Sequence, residues 1–98
     1  MAQRVVWSRR ALQDVEAIAE FIALDSPAYA AAAAKRIITQ TRVLSRFPRS
    51  GRKVPEFDEE SIPELFAYNY RIIYVVQAEE VLIAAVIHGK RVLPGAPR

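Results

Sequence analysis

The sequence predicts an α+β fold in which an N-terminal strand and an α-helical hairpin pack on a small antiparallel β-sheet, in the order β-α-α-β-β-β. Apolar residues recur every three or four positions through the first half of the chain, which is typical of amphipathic helices. The second half holds two stretches rich in branched and aromatic residues, 70–76 and 81–87, which favour strands. At 98 residues the chain fits one small domain, predicted to span 1–98.

The first strand and the first helix are separated by a capping residue. Residues 4–7 are short and β-prone, and Ser8 follows as a helix N-cap. The helix is predicted from Arg9 to near Leu24, because it has one apolar stripe and its acids lie elsewhere. That stripe comprises Ala11, Val15, Ile18, Ala19 and Ile22.

A second helix is predicted from about Pro27 to Phe47. Ser26 supplies a capping hydroxyl, and proline at the first helical position is a further start signal. Pro48 ends this helix, and the loop 48–53 has turn chemistry. On a helical wheel the core-facing side lies opposite a cationic ridge, which consists of Lys35, Arg42, Arg46 and Arg49.

Opposite charges are sorted along the sequence, although the net charge is only +3. Residues 35–53 contain lysine and arginine but no acid, whereas residues 56–64 contain acids but no base. The basic segment indicates a surface that faces a polyanion, and the acidic segment indicates a surface that pairs with a basic partner. Two solvated faces would give the same pattern.

The sheet is predicted from three stretches of the second half. Residues 62–67 are a strand candidate in which Pro63 favours a sheet edge or the start of the strand. Residues 70–76 and 81–87 are apolar on both alternating faces, as inner strands covered on both sides require. The short link 77–80 predicts a hairpin between these two inner strands.

The register of that hairpin places two polar residues. A loop of two residues and a loop of four give the same register, in which Arg71 lies opposite Val86 and His88 lies opposite Asn69. Arg71 and His88 then share a face as diagonal neighbours. A three-residue loop would place them on opposite faces. We therefore expect Arg71 and His88, the only histidine, to converge at one end of the sheet.

Composition excludes several classes of protein. Without cysteine there are no disulfides or thiolate metal sites, and a single histidine argues against a protein-built transition-metal site, so no cofactor is expected. The first twenty residues carry charges instead of the apolar run of a signal peptide, which predicts a cytoplasmic protein. The apolar run 81–87 is too short to span a bilayer, so no membrane association is expected.

Short motifs in a fixed order run through nearly the whole chain. They are Trp7-Ser8 with Ala11 and Asp14, Ser26-Pro27, Leu44-x-x-Phe47-Pro48-x-x-Gly51-Arg52, Pro55-Glu56, Tyr70-Arg71-x-x-Tyr74 and Val86-Ile87-His88-Gly89-x-Arg91. In this ordered set the sequence resembles the RelE/ParE superfamily, the toxins of bacterial type II toxin–antitoxin modules. The resemblance implies a helical hairpin on an antiparallel sheet, a partner antitoxin that wraps the toxin, and growth arrest when the antitoxin is lost.

Members of this superfamily divide by target, which the resemblance leaves open. Some resemble endoribonucleases that cut mRNA on the ribosome, and others inhibit DNA gyrase by binding, without enzymatic activity. For the first group the resemblance implies catalytic roles for Arg71, His88 and Glu56. The expected nucleic-acid-binding residues are the cations of the loop after the second helix and of the end of the last strand: Arg49, Arg52, Lys53, Lys90 and Arg91.

The expected catalytic residues fit a known chemistry. Cleavage of RNA by its own 2′-hydroxyl needs a base, an acid and a cation that stabilises the phosphorane. Glu56 and His88 would transfer the protons, and Arg71 would supply the charge. The structural alternative for Arg71 is an ion pair with an acid such as Glu56 or Glu64, and for His88 it is a bond to a backbone carbonyl. Tyr74 is expected in the core, on the face opposite Arg71.

Three functions therefore remain open from the sequence, and of these we favour the first. The expected convergence of Arg71 and His88 favours a metal-independent mRNA endoribonuclease. Pro63 favours a gyrase inhibitor, because superfamily members often carry an arginine there and its loss thins the cationic cluster. The third is a domain that binds its antitoxin but has lost toxicity.

Overall fold

The computed structural model describes residues 2–94, and its elements follow the predicted order with two additions. Residues 1 and 95–98 belong to the predicted domain but lie outside the described residues. The additions are a 3-10 helix that continues the second helix and a two-residue strand. In chain order the elements are β1 (Arg4–Trp7), α1 (Arg9–Ala23), α2 (Pro27–Gln40), the 3-10 helix (Thr41–Ser45), β2 (Arg52–Lys53), β3 (Pro63–Ala67), β4 (Tyr70–Val76) and β5 (Glu80–His88).

Both helices begin at the predicted caps. The Ser8 hydroxyl accepts from the Ala11 N–H at 3.0 Å, and the Ser26 hydroxyl accepts from the Tyr29 N–H at 3.1 Å. Helix α2 ends at Gln40, earlier than predicted. There the Thr41 hydroxyl donates to the Ile38 carbonyl at 2.7 Å, and such a local bond competes with regular helical bonding. None of the described helices combines the length and apolar character needed to cross a membrane.

The α+β class is confirmed, and the five strands form one mixed sheet in the order β1-β5-β4-β3-β2. Neighbouring strands are antiparallel except β1, which runs parallel to β5. The hairpin strands β4 and β5 lie inside the sheet, and Pro63 opens β3, as the sequence predicts. The helical hairpin covers one face, where α1 packs on β5. Buried residues of this main core include Ala11, Val15, Ile37, Leu44, Ile72, Tyr74, Val81, Ile83 and Val86.

A β-bulge interrupts the pairing of β4 with β5. Ile73 lies opposite Ala85, but Tyr74 lies opposite Ile83, which leaves Ala84 without a partner on the neighbouring strand. An extra residue of this kind shifts every later pair by one position. The predicted register therefore holds near the hairpin loop and fails beyond the bulge.

The shift separates the two residues that were expected to converge. Arg71 lies opposite Ile87, and His88 lies opposite Tyr70. Because alternate residues point to opposite faces, His88 lies on the helix-covered side with Tyr70, and Arg71 lies on the other side. The prediction that Arg71 and His88 share a face is wrong.

Helix α1 satisfies the backbone groups that the bulge frees. The Ser8 hydroxyl donates to the Ala84 carbonyl at 3.0 Å, and the Val86 N–H donates to Oδ2 of Asp14 at 2.9 Å. Buried backbone groups must be paired, so these two side chains stabilise the bulge. The first turns of α1 therefore help to set the register at the far end of the hairpin.

Replacing Asp14 with alanine should lower the free energy of unfolding by about 1 to 3 kcal/mol, since the buried Val86 N–H loses its acceptor. Urea denaturation measures this change. Two variants serve as controls. Glu16→Ala removes an exposed acid of the same helix, and Arg10→Ala removes only the surface pair between Arg10 and Asp14. Each control should change stability by about 0.5 kcal/mol or less, and an equal loss in all three variants would refute the role of Asp14.

Candidate functional site

The candidate site lies on the sheet face opposite the helices and is centred on Arg71 of β4. The side of this face around Arg71 carries a small apolar cluster of Val54, Ile73 and Ile87, against which Leu93 of the C-terminal segment packs. Arg71 is only 4% exposed. A guanidinium at such a position needs internal partners, because an unpaired buried charge is strongly destabilising.

Two carboxylates and one carbonyl hold the Arg71 guanidinium. Nη1 and Nη2 donate to the two oxygens of Glu56, each at 2.6 Å, in a bidentate pair. Nε donates to Oε1 of Glu64 at 2.6 Å, and Nη1 also donates to the Arg91 carbonyl at 2.9 Å. The structural alternative that the sequence left open, an ion pair of Arg71 with Glu56 or Glu64, is what the structure contains.

Glu64 links this pair to the basic loop. It is 1% exposed, and its second oxygen accepts from Nε of Arg52 at 2.7 Å. Gly51 allows the basic loop to lie close to the backbone of β3, since a Cβ at this position would be 2.5 Å from the Glu64 carbonyl oxygen. Arg52, Arg71, Glu56 and Glu64 therefore form one network whose formal charges cancel.

The network fixes the protonation of its members. The hydrogen bonds from Arg71 lower the pKa of Glu56 from 4.5 to about 2, against the opposing effect of burial, and the Leu93 N–H assists them. The same contacts, first that with Glu56, raise the pKa of Arg71 above its ordinary value. Near neutral pH, Glu56 is therefore a weak proton acceptor and Arg71 is a cation that is already paired.

His88 lies away from this network. Its ring is exposed and packs edge-on against Tyr70, with ring centroids 5.9 Å apart. The Lys90 N–H donates to Nδ1 of His88 at 3.1 Å. The three residues expected to be catalytic are thus divided: Arg71 and Glu56 are buried together on one face, and His88 is exposed on the other.

The cations of the basic loop contact the acidic segment. Arg49 donates to the Glu60 carbonyl at 3.4 Å, Arg52 pairs with Glu64, and Nζ of Lys53 lies 3.2 Å from Asp58. The opposite charges of the basic segment 35–53 and the acidic segment 56–64 are therefore partly paired within the protein, because the two segments fold against each other. The remaining nucleic-acid-binding residues expected from the sequence, Lys90 and Arg91, have exposed side chains after the end of β5.

Sequence reasoning missed a group of exposed aromatic side chains at the edge of the site. Phe66 and Tyr68 lie at and beside the end of β3, and each has an arginine near its ring. The Arg52 guanidinium lies 4.9 Å from the Phe66 centroid, and that of Arg36 lies 6.0 Å from the Tyr68 centroid. An available signal was Tyr68-Asn69, whose polar asparagine marks a turn that displays the tyrosine.

Within residues 2–94 no cluster of three or more candidate metal ligands is present.

A family model described as the ParE toxin of type II toxin–antitoxin systems, parDE, matches residues 5–93. The chain belongs to this family of ParE toxins. The match covers every helix and nearly every strand residue, including the whole Arg71 network. Membership implies a cognate antitoxin as the partner of this toxin.

A solved structure supports the same fold for this ParE-family toxin. The chain is similar to one in the chromosomal ParDE toxin–antitoxin system from P. aeruginosa, with a TM-score of 0.74 and 21% sequence identity. The match covers 89% of this chain and 96% of the other. No curated protein matches the sequence significantly.

The Glu56–Arg71 pair predicts a specific acid sensitivity. Because the pKa of Glu56 is about 2 in the folded protein and 4.5 without the pair, its stabilising effect is complete above pH 4.5 and is lost as the pH falls towards 2. Glu56→Gln should destabilise the protein at pH 7 by roughly 3 kcal/mol and should remove this part of the acid dependence.

Urea denaturation at several pH values between 2 and 7 measures both effects. Glu59→Gln is the matched control, because Glu59 is an exposed acid of the same loop. It should leave the stability at pH 7 within about 0.5 kcal/mol of the parent protein. If Glu56→Gln showed the same decline below pH 4.5 as the parent protein, the pair would not be the cause.

Proposed function

We propose that this ParE-family toxin arrests growth by binding and inhibiting DNA gyrase, and that it does not cleave mRNA. The observation that carries the proposal is the state of Arg71. The cation that would stabilise the phosphorane is buried, and its donors are taken by Glu56, Glu64 and the Arg91 carbonyl. This favours the second of the two targets that the superfamily resemblance implies.

The proton-transfer groups also argue against cleavage. A general base works best when its pKa lies near the operating pH, whereas the pKa of Glu56 is about 2. His88 lies on the opposite face from Arg71, so the two side chains do not reach the same phosphate from one side of the sheet. A nuclease reaction would require Arg71 to leave both carboxylates, which would leave charges unpaired in a buried site.

A toxin that acts by binding needs an exposed surface and no catalytic constellation. The face that holds Arg71 is internally neutral, which suits a structural role. Among the described residues, several cations of α2, of the 3-10 helix and of the position after it are exposed, namely Lys35, Arg36, Arg42 and Arg46. Such a surface is available to a protein target and its bound DNA.

The test is inducible expression of the toxin in bacteria without the antitoxin, with transcript integrity and plasmid supercoiling measured in the same cells. We expect growth arrest, altered supercoiling and intact transcripts. Purified toxin should likewise inhibit supercoiling by purified gyrase or trap its cleaved DNA complex. Transcripts cut at defined positions, with gyrase unaffected in both assays, would refute the proposal.

The variant His88→Ala sharpens this test. Because His88 is exposed and is not assigned a catalytic role, the variant should arrest growth and inhibit gyrase to within about twofold of the parent toxin. Coexpression of the antitoxin is the control that the arrest comes from the toxin. A loss of RNA cleavage in His88→Ala, from a parent protein that cleaves, would instead assign this histidine to a nuclease site.

A further inference from the structure

Two adjacent cavities form a groove at the end of the sheet where β3 turns into β4 and β5 ends. The first, of about 410 Å³, is lined by Phe66, Tyr68, Asn69, His88, Gly89 and Lys90. The second, of about 290 Å³, is lined by Ile22, Tyr29, Ala33, Tyr68, Asn69 and Tyr70. Because both are lined by Tyr68 and Asn69, they adjoin at this turn, and together we call them the rim groove.

The rim groove has a fixed floor. The Gly89 N–H donates to the Asn69 carbonyl at 2.6 Å, which joins the end of β5 to the turn between β3 and β4. The Tyr70 ring packs against His88 beside this bond. A ligand would therefore meet a preformed site. Binding there would cost less conformational entropy than binding to a mobile loop that has to become ordered.

Large aromatic rings are displayed along the rim groove. Phe66 is 43% exposed, Tyr68 is 53% exposed and Tyr29 is 61% exposed. Tyr68 also has φ of 54°, a left-handed conformation that is uncommon for a bulky residue. Strain of this kind is often found at functional sites, and Tyr68 lines both cavities of the groove.

Cations accompany these rings, and none of the lining residues is an acid. Arg36 lies over the Tyr68 ring and Arg52 lies over the Phe66 ring, while Lys90 lines the first cavity. The exposed acids of the loop 58–60 lie near the other end of β4, where the Val76 N–H donates to the carbonyl of the adjacent Ser61 at 2.9 Å. Since Arg52 is paired with Glu64, the positive charge of the rim groove comes from Lys90 and Arg36. The groove is thus aromatic and positively charged.

From this arrangement we infer that the rim groove binds a single-stranded nucleic-acid segment. Unpaired bases stack on the rings of Phe66, Tyr68 and Tyr29, and phosphates contact Lys90 and Arg36. Aromatic platforms interleaved with cations are the usual means of binding single strands without sequence preference. In a duplex the bases are stacked on each other, so the rings have no free base to contact.

The composition of the groove favours this ligand over the apolar side of a protein helix. Flat rings with cations at their faces match bases and phosphates, whereas aliphatic side chains in the lining are limited to Ile22 and Ala33. The inference goes beyond the proposed function, because it concerns an affinity of the toxin itself and does not require gyrase.

Fluorescence anisotropy with a labelled single-stranded oligonucleotide of mixed sequence tests the inference on the purified full-length toxin. The parent protein should bind the single strand more tightly than the duplex of the same sequence. Tyr68→Asn and Phe66→Leu should each weaken binding about 5- to 100-fold, as expected for the loss of one stacked base. Asparagine tolerates the left-handed backbone at position 68, and leucine keeps the apolar volume at position 66, so both variants should fold.

The salt dependence separates the role of Lys90 from that of the rings. Lys90→Ala should reduce the slope of log K against log salt concentration by about 0.7, the value for one phosphate contact on a single strand. Phe21→Ser and Arg9→Ala are the matched controls, since they remove an exposed ring and an exposed cation outside the groove lining. Phe21→Ser should not change the affinity, and Arg9→Ala should keep the parent slope. Tyr68→Asn and Phe66→Leu should also keep the parent slope.

Three outcomes would overturn the inference. The first is no detectable binding of the single strand, and the second is equal binding by the parent protein and Tyr68→Asn. The third is weaker binding of the cognate antitoxin by both ring variants with oligonucleotide binding unchanged, which would make the groove an antitoxin site. Gyrase inhibition, assayed separately on the same variants, tests the proposed function and does not enter this decision.

Discussion

The buried charge of Arg71 is the constraint on which the second face of the sheet depends. Its partners come from three separate parts of the chain: Glu64 from β3, Glu56 from the loop before it and the Arg91 carbonyl from the C-terminal segment. Each contact also orders the segment that makes it. The apolar cluster on this face is small, so a fully paired polar network supplies the specificity that a larger core would otherwise provide.

The bulge at Ala84 decides how the two faces are used. Because Ala84 has no partner, the residues that follow it in β5 lie on the face opposite to the one that the unbulged register predicts. His88 therefore lies beside Tyr70, and Arg71 remains among its carboxylates on the other face. Asp14 of helix α1 and the N-cap residue Ser8 pair with the backbone groups at the bulge that strand pairing leaves free. Strand pairing and helix packing are therefore coupled: the helix that covers one face also fixes the register that determines the composition of the other.

Local signals were sufficient for most of the fold and insufficient for the site. Serine caps, the helical stripes and the branched strands specify their elements through neighbouring residues, and these predictions are confirmed. The relation of Arg71 to His88 depends on a single extra residue in a uniformly apolar strand, and apolar residues on both faces leave no pattern that reveals a slip. The parallel pairing of β1 with β5 is likewise a long-range contact that neither strand encodes alone.

The acids around a strand arginine decide whether it is available for chemistry. In a nuclease the guanidinium must exchange water for phosphate, so its protein partners have to be few. Here two carboxylates pair with Arg71 and one of them also binds Arg52, so a phosphate entering the site would meet no uncompensated positive charge. Glu56 and Glu64 therefore indicate the role of this site as clearly as Arg71 does. Acids at both positions indicate a structural network. Positive charge that is free to meet a partner then lies elsewhere, including the exposed edge near Tyr68.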